Sequence, residues 1–357
     1  MAAAGCHIVN DVSRIGSFAA AALVRLAEVT NRTFVLPVVM FYPTSRCNSR
    51  CASCDWWKSS GAGDLALEEI EDVAKSLPGL GTRIVVFSGG EPLLRPEVFA
   101  AARLFLAHGV TLHLLTSGVL LERCAAEVAR HFSHVVVSLD ATTEELYRAV
   151  RGVVALTTVE KGVARLRQLV PELPVTARAT LHRLNFRELP LLIDHAHAMA
   201  LDGISFLPAD VSSTSFGREQ PIDQAALSLG RADIAEFAEL VEETIASHAD
   251  DFESGFVAES PAKLRRLPSY YAALAGAGPF PSIACNAPYM SVVVEADGAV
   301  RPCFFHKPVG NVRYAPLAAI VARNLPAFRR TLDVGSNPVC TRCVCSMKTG
   351  WRHAPWQ

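Results

Sequence analysis

The stretch Cys47-Asn-Ser-Arg-Cys51-Ala-Ser-Cys54 sets three cysteines in one short loop at C-x3-C-x2-C spacing. Thiolates are soft ligands suited to iron–sulfur clusters, and three on one loop can hold three corners of a cubane [4Fe–4S] cluster. The fourth iron then lacks a protein ligand and stays open to substrate or cofactor. A structural zinc site usually closes with four ligands, often as two pairs, so the triple spacing favours the cluster. Downstream, Val85-Val86-Phe87-Ser88 is a β-branched and aromatic run expected to form a buried strand, and it leads into Gly89-Gly90-Glu91-Pro92. Glycines there let backbone approach a ligand closely.

The cysteine loop, followed about 35 residues later by Gly-Gly-Glu-Pro after a strand, resembles the signature of the radical S-adenosylmethionine (SAM) superfamily; that separation fits one βα unit plus a strand. The resemblance implies that the open iron chelates the amino and carboxylate groups of SAM. It also implies that an electron from the cluster cleaves SAM to a 5′-deoxyadenosyl radical. Reduced flavodoxin or ferredoxin is the implied electron donor. Gly89, Gly90 and Glu91 are then expected to meet the SAM ammonium, largely through backbone carbonyls. The family often carries an aromatic residue just before the third cysteine. Here that position is Ser53, so the usual adenine contact is missing there, and Asp55, Trp56 and Trp57 follow instead.

Further strands are expected at βα spacing: Leu112–Gly118, Val135–Asp140, Val175–Leu181 and Gly203–Pro208, with helices such as Leu67–Leu77 and Pro96–Ala107 between them. Strands alternating with helices predict a parallel α/β sheet or barrel, with functional residues at the carboxyl ends of strands. The expected fold is α/β: a partial (β/α)6 radical SAM barrel with a small carboxy-terminal β-hairpin and helix extension. By the resemblance, Ser117, Ser138, Arg151 and Arg178 are candidates to contact SAM, with Asn185 just beyond the fifth strand. Taken alone, Ser138 or Arg178 reads as a solvated or capped surface group; the strand-end positions raise them to site candidates.

A second cysteine group closes the chain. Val292–Glu295 and Ala299–Arg301 are expected to form a hairpin turning at Asp297-Gly298, a pair suited to positive φ, which brings Cys285 and Cys303 near its open end. Cys340-Thr-Arg-Cys343-Val-Cys345 follows. Two separated cysteines plus a C-x2-C pair can close a four-thiolate site, for which zinc is the generic reading. After a radical SAM core, C-x12-G-x4-C followed by C-x2-C resembles the SPASM or twitch extension. That resemblance implies one auxiliary [4Fe–4S] cluster on Cys285, Cys303, Cys340 and Cys343, with Cys345 spare or replacing Cys343.

The chain has 357 residues, half of them apolar, with a net charge of −1. That suits a barrel with an appendage and indicates no nucleic-acid footprint. The clustering of most of its ten cysteines and the lack of a signal peptide predict reduced thiols and a cytoplasmic enzyme. Cys6 and Cys124 fit no cluster. Phe18–Val29 is interrupted by Arg25 and Glu28 and is too short to span a bilayer, so it is expected to be an amphipathic helix packed on the barrel, without stable membrane insertion.

Four regions follow: a helical segment at 1–38, the core barrel at 39–210, a helical linker and substrate region at 211–284, and the auxiliary-cluster region at 285–357. Within the third, Ile234–His248 is expected as a helix and Asp210–Gly217 as a loop over the barrel mouth, with Asp210 a candidate base. The expected function is a radical SAM oxidoreductase that abstracts a substrate hydrogen. The net result would be two-electron oxidation of a small-molecule or natural-product intermediate. A maturase acting on a ribosomally made peptide is the alternative; the absence of a peptide-recognition domain in residues 1–38 leans toward the small molecule. An iron–sulfur electron carrier or a zinc-binding module is the reading of another class, against which the three-cysteine loop, Gly-Gly-Glu-Pro and the βα repeats stand.

Overall fold

The computed structural model describes residues 18–348, so Cys6 and the outer ends of the first and last regions lie outside the described residues. After helix α1 (Phe18–Thr30), the chain alternates strand and helix. The elements are β1 (Val38–Thr44), α2 (Leu67–Leu80), β2 (Ile84–Gly89), α3 (Val98–Leu106), β3 (Thr111–Thr116), α4 (Leu121–His131), β4 (His134–Ser138), α5 (Glu144–Arg151), α6 (Leu156–Leu169), β5 (Val175–Leu181), α7 (Leu189–Ala198) and β6 (Ile204–Pro208). The six strands are parallel and stand in sequence order, and the sheet remains open rather than closing on itself.

Side chains alternate across each strand. Val39 and Phe41 of β1 point into the helix layer, where Phe41 meets Phe105 at 4.9 Å and Phe87 at 5.6 Å. Val38, Met40 and Tyr42 line the concave face with Val86, Val136 and Val293. Burial on both faces explains the uninterrupted apolar runs in the sequence. β1 was not singled out by sequence; its end is marked by Pro43, which has no N–H, and by a register shift against β2 between Phe41 and Thr44. The freed Pro43 carbonyl accepts from buried Arg95 at 2.7 Å, and the same guanidinium nitrogen reaches Leu65 O at 2.8 Å.

Beyond β6, helices α8 (Arg231–Ser247) and α9 (Arg266–Leu274) pack together over the sheet edge. A single bridge between Ile204 and Val257 continues the sheet past β6. Tyr271 of α9 donates to Leu181 O at 2.5 Å and accepts from Ala209 N at 3.0 Å, clamping the ends of β5 and β6.

Strands β7 (Ser291–Val294) and β8 (Ala299–Arg301) form the expected hairpin, with Gly298 at φ +85°, and β9 (Gly310–Asn311) follows. The sequence set this extension apart at residue 285, yet β7 pairs in parallel with β1, Val38 opposite Ser291. The hairpin therefore extends the core sheet, whose full order is β6-β5-β4-β3-β2-β1-β7-β8-β9. Helix α10 (Leu317–Arg330) then packs on α2. Helix α1 buries Val24 against the concave-face cluster and contacts the turn at Ala287–Met290, so it covers the base of the extension as well as the barrel. Among the described residues, no helix is long and apolar enough to cross a membrane.

Candidate active site

The cysteine loop leaves the carboxyl end of β1 and is fastened at three places. Arg50 N–H donates to Arg151 O at 2.8 Å and Ala52 N–H to Val150 O at 2.9 Å, tying it to the end of α5. Glu91 N–H donates to Arg46 O at 2.8 Å and Gly90 N–H to Thr44 O at 3.1 Å, tying it to the turn after β2. On the far side, Asp55 N–H donates to Phe216 O at 2.9 Å.

Cys47, Cys51 and Cys54 line one chamber together with Gly89, Gly90, Ser117, Ser138, Arg151 and Arg178. Glu91 stands apart. It is fully buried and accepts from Leu93 N at 3.1 Å, Thr116 Oγ1 at 2.8 Å and Ser117 N at 2.6 Å, so it binds the turn to the end of β3. Burial pushes its carboxyl up from the usual range, against those hydrogen bonds. Ser117 Oγ donates to Asn48 Oδ1 at 3.1 Å. Arg151 pairs with Asp140 at 2.9 Å, and Asp140 also accepts Thr180 N–H at 2.6 Å. Asn185 is structural: its Nδ2 donates to Asp140 O and Thr180 O at 2.8 and 3.1 Å. Trp56 lines the chamber and meets Tyr42 edge-on at 5.9 Å, so an aromatic wall follows the third cysteine instead of preceding it at Ser53. Trp57 turns outward beneath Arg50 and Lys58.

Asp210 lines the chamber but is committed elsewhere. It forms a buried ion pair with Arg218 at 2.5 Å and accepts from Ser212 N, Ser212 Oγ and Ser213 Oγ. Its carboxylate oxygens are thus held within its own loop, and no contact sets it apart as the base that the sequence offered as a candidate. Its loop works as a tie. Phe216 O accepts from Asp55 N and Cys54 Sγ, while Ser215 Oγ donates to Phe304 O at 2.7 Å, next to Cys303. One loop therefore touches both cysteine groups.

Cys285, Cys303, Cys340, Cys343 and Cys345 line a second chamber with His306, Glu259 and Lys263. Leu115, Arg178, Leu207, Phe304, Phe305 and Cys345 line both chambers and form the neck between them. Among the described residues the cysteines are free of disulfides, and Cys124 sits half-buried in α4 against the core. Burial pushes the Cys47 thiol up to about 11 and Cys54 to about 12, and likewise Cys303 to about 12 and Cys340 to about 11. These thiols keep their protons until a thiophilic metal displaces them.

Among the described residues, no three His, Cys, Asp or Glu side chains converge on a point suited to one metal ion. A cubane gives each thiolate its own iron, so convergence is not its criterion. The donor set fits a cluster: three partly buried thiols on one loop beside a glycine turn. Arg151, which lines this chamber, has a buried Nε without a hydrogen-bond partner, and Asn48 Nδ2 and Ser49 Oγ within the cysteine loop are likewise buried and unpartnered, as expected near a polar cofactor.

Comparison with known proteins agrees. The sequence pattern of the radical SAM superfamily matches residues 41–196, and that of the SPASM iron–sulfur cluster-binding domain matches residues 285–344. This is a radical SAM chain with a SPASM-type extension. Its domains imply a [4Fe–4S] cluster, SAM and auxiliary iron–sulfur binding. The radical SAM chain is 33% identical to the PqqA peptide cyclase of Rhodopseudomonas palustris over 176 residues, 48% of this chain and 46% of that protein. It is 35% identical to the GTP 3′,8-cyclase of Caulobacter vibrioides over 168 residues, 44% of this chain and 48% of that protein. It thus spans about half the length of the curated relatives it matches. SuiB of Streptococcus suis bound to S-adenosylmethionine shares the fold at a TM-score of 0.63 and 15% identity, covering 91% of this chain and 76% of that one. Native anSMEcpe with bound AdoMet and the Cp18Cys peptide shares it at a TM-score of 0.59 and 18% identity, covering 86% of this chain and 90% of that one.

Sequence reasoning missed Asp140 as the anchor of Arg151, Glu259 and His306 in the second chamber, and the tie through Phe216. Asp140 had a signal, because it closes a strand of the right spacing. The others come from distant segments.

Proposed function

We propose that this chain is a radical SAM oxidoreductase that removes a hydrogen atom from a substrate held at the neck between its two cysteine chambers. The observation that carries the reading is this shared lining: Leu115, Arg178, Leu207, Phe304, Phe305 and Cys345 line both the chamber of the three-cysteine loop and the chamber of the auxiliary cysteines, which sets the two side by side. When bound, the cluster and SAM at Cys47, Cys51 and Cys54 would supply a carbon-centred radical, and a cluster on the auxiliary cysteines would supply an acceptor for one electron.

The chain's own groups position the reactants. Backbone at Gly89 and Gly90, with Ser117, Ser138 and Arg151, holds SAM at the strand ends. Arg178, which also donates from Nε to Ser205 Oγ at 3.1 Å, stands at the neck, where it can meet SAM or substrate. Trp56, Phe216, Phe304 and Phe305 exclude water from a reactive radical. Cys285, Cys303, Cys340 and Cys343 hold the acceptor, and Cys345 faces the neck. A reduced flavodoxin or ferredoxin supplies the electron, in a cytoplasmic setting that keeps the thiols reduced.

The substrate is a small-molecule or natural-product intermediate. Peptide modification is the second reading, favoured by relatives named as a PqqA peptide cyclase and by SuiB solved with its precursor peptide SuiA. The test is mass spectrometry of substrate and product beside quantitation of 5′-deoxyadenosine. The expected product is two hydrogens lighter, one lost as the abstracted hydrogen atom and the other as a proton when the remaining electron passes to the acceptor, with one SAM consumed per turnover. A product of unchanged mass with SAM recovered refutes the oxidation.

A further inference from the structure

Among the polar side chains of the second chamber that the proposed reaction does not use, His306 is the one within hydrogen-bond reach of a cysteine sulfur. His306 follows Cys303 by three residues, is 6% exposed, and places Nε2 3.3 Å from Cys340 Sγ. Its ring meets Phe328 of α10 edge-on at 4.8 Å. Its carbonyl accepts from Arg301 Nη1 at 3.0 Å, and Arg301 is itself paired across the hairpin with Glu295 at 2.7 Å. The imidazole is therefore held from both sides, by the hairpin through its backbone and by α10 through its ring.

We propose that His306 donates its Nε2–H to the Cys340 sulfur and so raises the reduction potential of a cluster held by the auxiliary cysteines. A metal-bound cysteine sulfur is a thiolate with no proton, so the hydrogen in this contact has to sit on Nε2. A donor to sulfur stabilises the electron-rich reduced cluster more than the oxidised one, which moves the potential upward. The neighbouring sulfurs show the same pattern through backbone groups: Cys303 faces the N–H of Phe305 and His306, and Cys343 accepts Cys345 N–H at 3.3 Å. Those donors come with the chain trace, whereas the Cys340 donor is a side chain and can be removed. Cys340 belongs to the ligand set whether Cys343 or Cys345 completes it, so the proposal does not depend on that choice. It makes His306 a positioning residue that tunes the acceptor, and it rests on the reading that the second chamber holds a cluster.

The experiment is an electron paramagnetic resonance redox titration of the full chain, anaerobically reconstituted. The core cluster is recognised by its change on adding SAM. At a fixed solution potential, His306→Phe is expected to lower the ratio of reduced to oxidised auxiliary cluster about tenfold, equivalent to about 59 mV for a one-electron couple. His306→Gln keeps an N–H donor and is expected to stay near the unsubstituted ratio. The proposal is overturned if His306→Phe keeps its auxiliary iron and its ratio, or if His306→Gln shifts as far as His306→Phe. Loss of auxiliary iron in both variants also overturns it, because the imidazole would then be holding the site together. An unsubstituted protein with no auxiliary cluster signal refutes the cluster reading itself, and this inference with it.

Discussion

Replacing Gly90 by alanine tests how the glycine turn and the cysteine loop are built together. The sequence suggested that a side chain at Gly90 would intrude where backbone meets SAM. The structure gives a nearer collision. A Cβ on Gly90 would lie 2.1 Å from Arg46 O, 2.6 Å from Arg46 C and 2.8 Å from Ser45 O. Ordinary contact begins near 3.4 Å, so the closest pair falls short by 1.3 Å and has to separate by about that much. The obstacle is backbone, which cannot rotate away, and the next residue is Cys47. Metal–ligand distances tolerate about 0.2 Å, several times less than the required shift. Overpacking of this kind costs typically about 1–3 kcal/mol, which a core of this size survives. The expected result is a folded Gly90→Ala protein that loses the core cluster and keeps the auxiliary one, with iron falling from about 8 to about 4 per chain. SAM affinity should fall at least about tenfold, or 1.4 kcal/mol. Gly79→Ala in α2 is the control, since a Cβ there meets nothing within 4 Å. It should leave iron unchanged and stabilise the fold by up to about 1 kcal/mol. Full core iron and unchanged SAM affinity in Gly90→Ala would refute the reasoning.

Two further outcomes follow from buried polar groups. Glu91→Ala leaves the N–H groups of Leu93 and Ser117 without their acceptor and should cost roughly 2–4 kcal/mol in denaturant unfolding, with SAM binding weakened less than in Gly90→Ala. His182 is buried, accepts Leu184 N–H on Nδ1 at 3.2 Å, and has its pKa lowered by burial from 6.5 to about 4. The unfolded chain then binds the proton more tightly, so this contribution is complete above pH 6.5 and is lost as pH falls toward 4, to a limit of roughly 3 kcal/mol. His182→Gln should flatten stability over that window; an unchanged acid slope would assign it to other groups.

The sequence made legible what is local. Val85–Ser88 and Val135–Asp140 announce themselves because parallel strands buried on both faces are written as β-branched runs. The cysteine loop and the hairpin turn at Asp297-Gly298 are equally local, being fixed spacings with a backbone requirement. What stayed hidden depends on contacts across the chain. The pairing of β7 with β1 joins segments about 250 residues apart, and nothing in Ser291–Val294 names its partner. The tie of Phe216 to Asp55, the engagement of Asp210 by Arg218 and the approach of His306 to Cys340 are all of this kind.

Iron quantitation with SAM-cleavage analysis, on the unsubstituted chain and on a Cys47→Ala, Cys51→Ala, Cys54→Ala variant, tests the central claim most directly. The expected result is about 8 iron per unsubstituted chain after anaerobic reconstitution, about 4 in the variant, and 5′-deoxyadenosine from the unsubstituted protein alone. Stoichiometric zinc at Cys285, Cys303, Cys340 and Cys343 after anaerobic purification would contradict the auxiliary cluster, and SAM cleavage surviving the triple substitution would contradict the site.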